Sequence, residues 1–508
     1  MNYSPKNLYV WDAWCMPVED GVHLYHLQRA RNEAGKSREA LLGHAFSRDL
    51  IHWEELAEAF GPDDKRTDDD RQPWTGCALY HDKCAYLFYT MRGSATNCRV
   101  QSIGLATSPN GMTFTRYRDN PVIVPDPRWY GDVEKPVKGV RDCRDLVVVK
   151  APDRSGWYGY FATRCPNATL GSSSAIAAAY SPDLYHWEQF RPVFTPENCP
   201  CVEVPDVFEM NGLWYMTCLT GMFYGTLRPF SEPDLYSGTL YAVSDSPLGP
   251  FRMLKNNVLL AAQTGACPLS VRSFEFEGER HILYTDREKI GRVDYGTPGV
   301  GTISTPKLLS TSGDTLQVRY SPRVEAFVSR ECALDCEWLL ADGVNTDWGQ
   351  CWKCPPIDAQ ISPQRIILSN PDAFSVLPLN LNPESFIFEA EITLRGAASA
   401  GFTVRMTEWD GDFLRLDCER KLLQYLEHRW TEFDERRMVA FEPDRPYRLK
   451  LVSRLEHTEV YIDDILLMCF ARYRNLGAGL GLFVDRGCAV FDSIRVRELA
   501  IQHQSDNE

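Results

Sequence analysis

Asp12 in NLYVWDAWC, Asp145 in RDCRDLVVV and Glu203 in CVEVPDVF each stand at the start of a run with strand character. A carboxylate beside a protonated carboxyl is the equipment for breaking a glycosidic bond, one group protonating the leaving oxygen while the other acts at the anomeric carbon. Partial burial and mutual repulsion can hold one acid's proton near neutral pH while its neighbour stays charged. A separation of about 5 to 5.5 Å between them gives retention, and a wider gap gives inversion. Trp11, Trp14 and Trp74 would supply apolar, stacking walls for a sugar ring. Each acid also has a plain structural reading: Asp12 as a turn cap, Asp145 as a partner of Arg141 or Arg144, and Glu203 or Asp206 as a turn cap. Together, at comparable places in a repeat, they point to one pocket.

The elements that must bring them together are legible as a repeat. AFSRDLIHW ending at Trp53, ATSPNGMTF ending at Phe114, AYSPDLYHW ending at Trp187 and AVSDSPLGPF ending at Phe251 share one pattern. Each reads as a strand end, a Ser/Asp/Gly turn and an aromatic that begins the next strand. Short alternating runs lie between them: CAYLFYTM, GWYGYFAT, GLWYMTCL and RHILYTD. About four strands per roughly 65-residue unit is the signature of a propeller blade. The expected fold is therefore all-β: a five-bladed β-propeller over residues 1–335, followed by a C-terminal β-sandwich. A linker is expected over 336–360, the sandwich over 361–500 and a flexible polar tail over 501–508. In a propeller the innermost strands line one axis, so acids that open them converge.

The 508 residues carry a net charge of −15, which disfavours broad attraction to nucleic acid or anionic membrane. No run of apolar residues is long enough to span a bilayer, and the N-terminus lacks the pattern of a secretory signal. The 17 cysteines are scattered and odd in number, which fits small buried thiols in a reducing compartment and suggests a cytoplasmic protein. Cys351 and Cys354 have metal or redox spacing but no second pair nearby, so no metal and no cofactor are expected. A homo-oligomer is compatible with the sequence.

The chain resembles glycoside hydrolase family 32, the β-fructofuranosidases, invertases and fructan hydrolases, and more distantly families 43, 62 and 68. The resemblance rests on GHAFSRDLIHWEEL (Gly43 to Leu56), on Asp12 followed by Gly21 and Gln28 in GVHLYHLQ, and on WTGCALY, RDLVVVKAPDRSGW and VEVPDVF. In the second domain TEVYIDD continues it. The resemblance implies Asp12 as nucleophile and Glu203 as general acid/base. Asp145, with Arg144 beside it, would hold the sugar hydroxyls and stabilise the transition state. Asp142 is the rival of Asp145, since RDCRD contains two Arg-Asp pairs. Gln28, Trp74 and Thr75 would line the first sugar subsite. The sequence departs from the family pattern around the acids: Trp11 replaces an Asn, Ala13-Trp14-Cys15 replaces Pro-Asn-Gly, Val204 replaces a Cys and Cys77 replaces a Ser. These exchanges remove hydrogen-bond donors and narrow the space, so they bear on the sugar more than on the mechanism.

The leading functional expectation is a retaining hydrolase of a terminal furanoside, most simply a β-fructofuranoside, with a small carbohydrate as its partner. The alternatives are an inverting, family 43-like arabinofuranosidase, a fructosyl-transferring enzyme, a carbohydrate-binding or sensing protein without chemistry, and an interaction scaffold. The second domain is expected to pack against the first, with Trp409 and Trp430 as core residues or stacking platforms.

Overall fold

The computed structural model describes residues 2–31, 41–131, 141–166, 173–196, 201–220, 237–263, 268–294, 296, 298–334, 358–362, 364–379, 381–407, 410–427, 433–473 and 477–500. The Cys351/Cys354 pair, Trp409, Trp430, most of the expected linker and the tail 501–508 lie outside them. The fold is all-β, as the alternating runs require. Among the described residues helix is confined to two short 3-10 turns.

The chain first builds antiparallel meanders. β1 (Leu8–Val18), β2 (Gly21–Ala30), β3 (Leu41–Ser47) and β4 (Glu54–Phe60) pair in order. So do β5 (Trp74–His81), β6 (Cys84–Arg92), β7 (Gln101–Ser108) and β8 (Thr115–Arg116). The third sheet is β9 (Arg144–Lys150), β10 (Trp157–Arg164), β11 (Ser174–Ser181) and β12 (Glu188–Gln189). The fourth is β13 (Val202–Met210), β14 (Leu213–Thr220), β15 (Ser237–Ser244) and β16 (Arg252–Ala262). A fifth set follows: β17 (Leu269–Phe276), β18 (Glu279–Lys289), β19 (Pro298–Ile303), β20 (Lys307–Ser312) and β21 (Thr315–Arg319). The opening strands neighbour one another in sequence, β1 beside β5, β5 beside β9, β9 beside β13 and β13 beside β17, and β17 returns to β1. Backbone pairing of Val10 with Gly301 ties the first set to the last.

The repeated turn has a common cause. After β3 and β11, the Ser47 and Ser181 hydroxyls accept from the amides of Leu50 and Leu184, at 2.9 and 2.8 Å. The Asp49 and Asp183 carboxylates accept from the two amides that follow those leucines. Leu50 and Leu184 take the left-handed conformation, which Gly111 and Gly249 supply in the other two repeats. The motif therefore encodes a side-chain-closed corner that returns the chain to the outermost strand of each of the first four sheets.

The later strands form a second core. Gly479–Leu499 pairs with Arg365–Leu379, Phe386–Arg395, Ser399–Met406 and Val328–Cys332. It encloses a cluster that includes Phe388, Phe402, Leu414, Tyr425 and Phe491, with Phe388 and Phe402 stacked 3.8 Å apart. A separate apolar cluster joins the two parts, packing Phe208, Tyr241, Ile282 and Tyr284 against Ile387, Val452 and Tyr461.

A buried ionic knot lies at that junction. The Glu459 carboxylate accepts from Arg454 at 2.6 Å, Lys307 at 3.0 Å, Tyr461 at 2.6 Å and Tyr284 at 3.2 Å. Burial alone would raise its pKa, but Arg454 and Lys307 overcome this and hold it at about 2. Glu459→Gln would remove the nearest counterion of two buried cations, leaving Asp286 at 3.7 Å from Arg454, a loss of about 3–5 kcal/mol. The carboxylate's contribution is complete above its ordinary pKa and disappears as pH falls towards 2. Urea unfolding at pH 7 should therefore separate variant from wild type widely, and the gap should close on acidification.

Candidate active site

Each of the five opening strands carries the same irregularity. In β1, Trp11 pairs with Leu27 and Trp14 with Tyr25, so Asp12 and Ala13 together face one residue of β2. The same two-against-one bulge occurs between Trp74 and Cys77, Arg144 and Val147, Glu203 and Asp206, and Leu269 and Arg272. A bulge twists the strand and re-aims the side chains beside it. The first bulged residues are Asp12, Thr75, Asp145, Val204 and Ser270, and four of them have φ between 46° and 61°. A left-handed backbone at a non-glycine residue is costly and recurs at functional sites. The residues just before the bulges are Trp11, Trp74, Arg144, Glu203 and Leu269. These two positions, repeated around the ring, hold all three acids named from the sequence and four of the six expected binding residues.

The side chains at these positions touch across the ring. Thr75 donates to Asp12 Oδ2 at 2.5 Å, and Ser270 donates to Asp12 Oδ1 from the opposite side. The Asp12 amide donates to Thr285 Oγ1 at 3.1 Å. Asp145 Oδ2 accepts from the Val204 amide at 3.0 Å, and the Asp145 amide donates to Thr90 Oγ1 at 3.1 Å. Arg144 is buried, donates to Glu203 Oε1 at 3.0 Å and lies 3.6 Å from Asp145 Oδ2. Glu203 keeps 29% of its side chain exposed.

Electrostatics separate the acids. Burial, reinforced by the charges of Glu203 and Asp12 and opposed by Arg144, pushes Asp145 up to about 7. Burial and the Glu203 charge also raise Asp12, against hydrogen bonds from Ser270 and Thr75 and the nearby Arg272 guanidinium. Asp142 is different: burial works against its ionisation, but Arg144 at 3.0 Å and Arg164 at 2.5 Å hold its carboxyl below the usual range. Asp142 thus orients Arg144, whereas Asp145 belongs to the ring.

A native Asp145 pKa near 7 has a thermodynamic consequence. Between the unfolded value of 3.8 and about 7 the native state binds the extra proton, so this group lowers stability as pH rises through that window. Asp145→Asn, which has no such titration, should gain on wild type by about 1.4 kcal/mol per pH unit across it. Thermal unfolding at pH 4.5 and 7.5 checks the sign: the advantage must be larger at 7.5.

The expected binding residues divide. Trp11 and Trp74 are half-buried, and Thr75 is buried against Asp12. Gln28 pairs across from Val10 and donates to Glu58 at 2.9 Å. Trp14 is the correction. At 2% exposure it packs with Met16, Tyr25 and Leu42 between sheets, because the bulge turns it away from the mouth, so it supports the pocket without lining it. Sequence reasoning missed Ser270, the fifth-sheet counterpart of Asp12, and Arg272 two residues on. Arg272 is buried and donates to the carbonyls of Pro205, of Gly76 at 3.3 Å and of Asp145 at 3.2 Å, tying three opening strands together beneath the acids. The only signal for either was that PLSVRSF should open a fifth unit. No group of three or more His, Cys, Asp or Glu among the described residues is arranged to hold a metal ion.

Residues 4–241, from the approach to β1 into β15, match the family model described as the glycosyl hydrolases family 32 N-terminal domain. Through this stretch the chain is similar to glycosyl hydrolase family 32. A 90-residue stretch is 37% identical to acid beta-fructofuranosidase 4, vacuolar, of Arabidopsis thaliana, covering 17% of this chain and 13% of that protein. The whole architecture is similar to solved structures. Exo-inulinase from Aspergillus awamori matches with a TM-score of 0.70 and 15% identity over 98% of this chain and 97% of that one. Fructan 1-exohydrolase IIa from Cichorium intybus matches at 0.68 and 14% identity, again over 98% and 97%. The Bombyx mori GH32 beta-fructofuranosidase BmSUC1, as mutant D63A in complex with sucrose, matches at 0.66 and 13% identity over 98% and 95%. At such low identities these likenesses speak for the fold. The residues that differ from the family pattern, Trp11, Ala13, Cys77 and Val204, all sit on or beside the bulges, and Ala13, Cys77 and Val204 are buried there.

Proposed function

We propose that this chain is a retaining, exo-acting glycoside hydrolase of a terminal furanoside, most simply a β-fructofuranosidase. The observation that carries the reading is the placement of Asp12, Asp145 and Glu203 at adjoining bulge positions, linked by Thr75, Ser270 and Arg144. Asp12 attacks the anomeric carbon, and Glu203 protonates the leaving oxygen. Water then enters with Glu203 as base and releases the sugar. Ser270 and Thr75 fix the Asp12 carboxylate for attack. Asp145, protonated below about pH 7, and Arg144 hold the ring hydroxyls. In this reading the five strand sets are the blades of a propeller, and the sandwich, to which Val328–Cys332 also pairs, buttresses it.

Fructosides as substrates are supported by the family and by similar structures whose bound molecules are sucrose, 1-kestose and fructosylnystose. A panel of sucrose, inulin-type and levan-type oligosaccharides and nitrophenyl arabinofuranosides tests it. Release of free fructose from the non-reducing end supports the reading. Turnover confined to arabinofuranosides, or binding of sugars without turnover of any, contradicts it.

A further inference from the structure

We propose that Arg92, seated on Trp74 at the pocket mouth, forms an oxyanion subsite, and that the terminal sugar this site accepts carries a carboxylate or phosphate group. The inference rests on the furanosidase reading for the position of that sugar. The charge of the sugar follows from separate observations.

Register places Arg92 beside the site. Trp74 pairs with Thr90 in β6, and Thr90 Oγ1 accepts from the Asp145 amide and donates to the Thr75 carbonyl at 2.8 Å. Residues two apart on a strand share a face, so Arg92 follows Thr90 on the side that meets the third sheet. Across β7, Arg92 pairs with Gln101, whose side-chain oxygen accepts from Arg144 at 3.3 Å. The Arg92 guanidinium carbon lies 3.5 Å from the Trp74 ring centroid.

Its charge is unmatched there. Arg144 and Arg164 are met by Asp142, Asp145 and Glu203. Arg92, among the described residues, has a ring beneath it and no carboxylate, and its Nε is buried without a hydrogen-bond partner. Burial, with the like charge of Arg144 adding to it, makes that guanidinium less basic than an ordinary arginine. A second guanidinium, Arg29, lies 5.6 Å from the ring of Tyr9 and 5.9 Å from that of Trp11. In a chain of net charge −15, a cation held on Trp74 runs against the overall balance. A buried, unpartnered Nε–H costs stability unless a ligand satisfies it. Its natural complement is an oxyanion that takes Nε–H and one Nη–H together.

Calorimetric titration of the full chain with fructose, fructose 6-phosphate and the corresponding C6 carboxylate tests the proposal. One charged sugar should bind at least about tenfold more tightly than fructose, as a charge-assisted pair requires. Which of the two does so identifies the group. Arg92→Leu should reduce that affinity to the level of fructose, and Arg92→Lys should keep part of it. Equal binding of charged and neutral sugars by wild type overturns the proposal, as does a preference that survives in Arg92→Leu. Should the leucine variant not fold, the wild-type comparison and the lysine variant decide between the same two outcomes. The furanosidase reading fails on different grounds, the absence of turnover of any furanoside.

Discussion

Asp12→Asn should lower turnover by on the order of 10⁴-fold or more, without loss of the folded state. The expectation follows from the surroundings of this carboxylate. Ser270 and Thr75 donate to its two oxygens from neighbouring strands, so its orientation is fixed before a substrate arrives. An amide in the same place has no nucleophilic oxygen, and one of the two hydroxyl donors then meets an NH₂ group. The fold should tolerate the change because burial already disfavours the charged form here. A defect in nucleophile is distinguishable from a defect in folding by chemical rescue. Asp12→Gly supplied with azide should turn over an activated fructoside and yield the fructosyl azide of inverted configuration. The control is an unchanged far-ultraviolet spectrum and urea midpoint.

Glu203→Gln is the second large effect, and its signature is dependence on the leaving group. Glu203 keeps 29% of its side chain exposed, and Arg144 holds one of its oxygens at 3.0 Å. Loss of a general acid costs about 10²- to 10⁴-fold when the leaving group needs a proton. Sucrose and fructan linkages need one. An aryl fructoside with a strongly acidic phenol does not, so its first step should slow far less. The second step still needs a base, so the variant should release a burst of phenol and then stall. Uniform loss on both substrate types would assign Glu203 to binding. Arg144 retains Asp142 at 3.0 Å in this variant, so the site should keep its shape.

What the sequence revealed and what it hid have one physical origin. The SRDLIHW and SPDLYHW turns are legible because their hydrogen bonds are local, donated to a Ser or Asp side chain by amides two or three residues on. The repeat they mark led to strand openings, and so to Asp12, Asp145 and Glu203. The bulges are not legible, because one extra residue against a partner strand leaves no compositional trace. That explains Trp14: counting alternation from Asp12 puts it on the same face as the acid, whereas the bulge sends it into the core. It also explains Ser270 and Arg272, since the fifth opening strand carries no acid in PLSVRSF to draw attention. Asp142 and Asp145 could not be ranked from RDCRD alone. Only the third dimension shows that Arg164 claims the former and the Val204 amide the latter.

The covalent step is the claim on which the account turns, and mass analysis of the intermediate reaches it most directly. Glu203→Gln, mixed with an activated aryl fructoside and quenched rapidly in acid, should yield a peptide spanning Asp12 that carries one fructosyl unit on that aspartate. A quenched protein free of sugar throughout the burst, or a fructosyl group attached to any other side chain, would contradict the account.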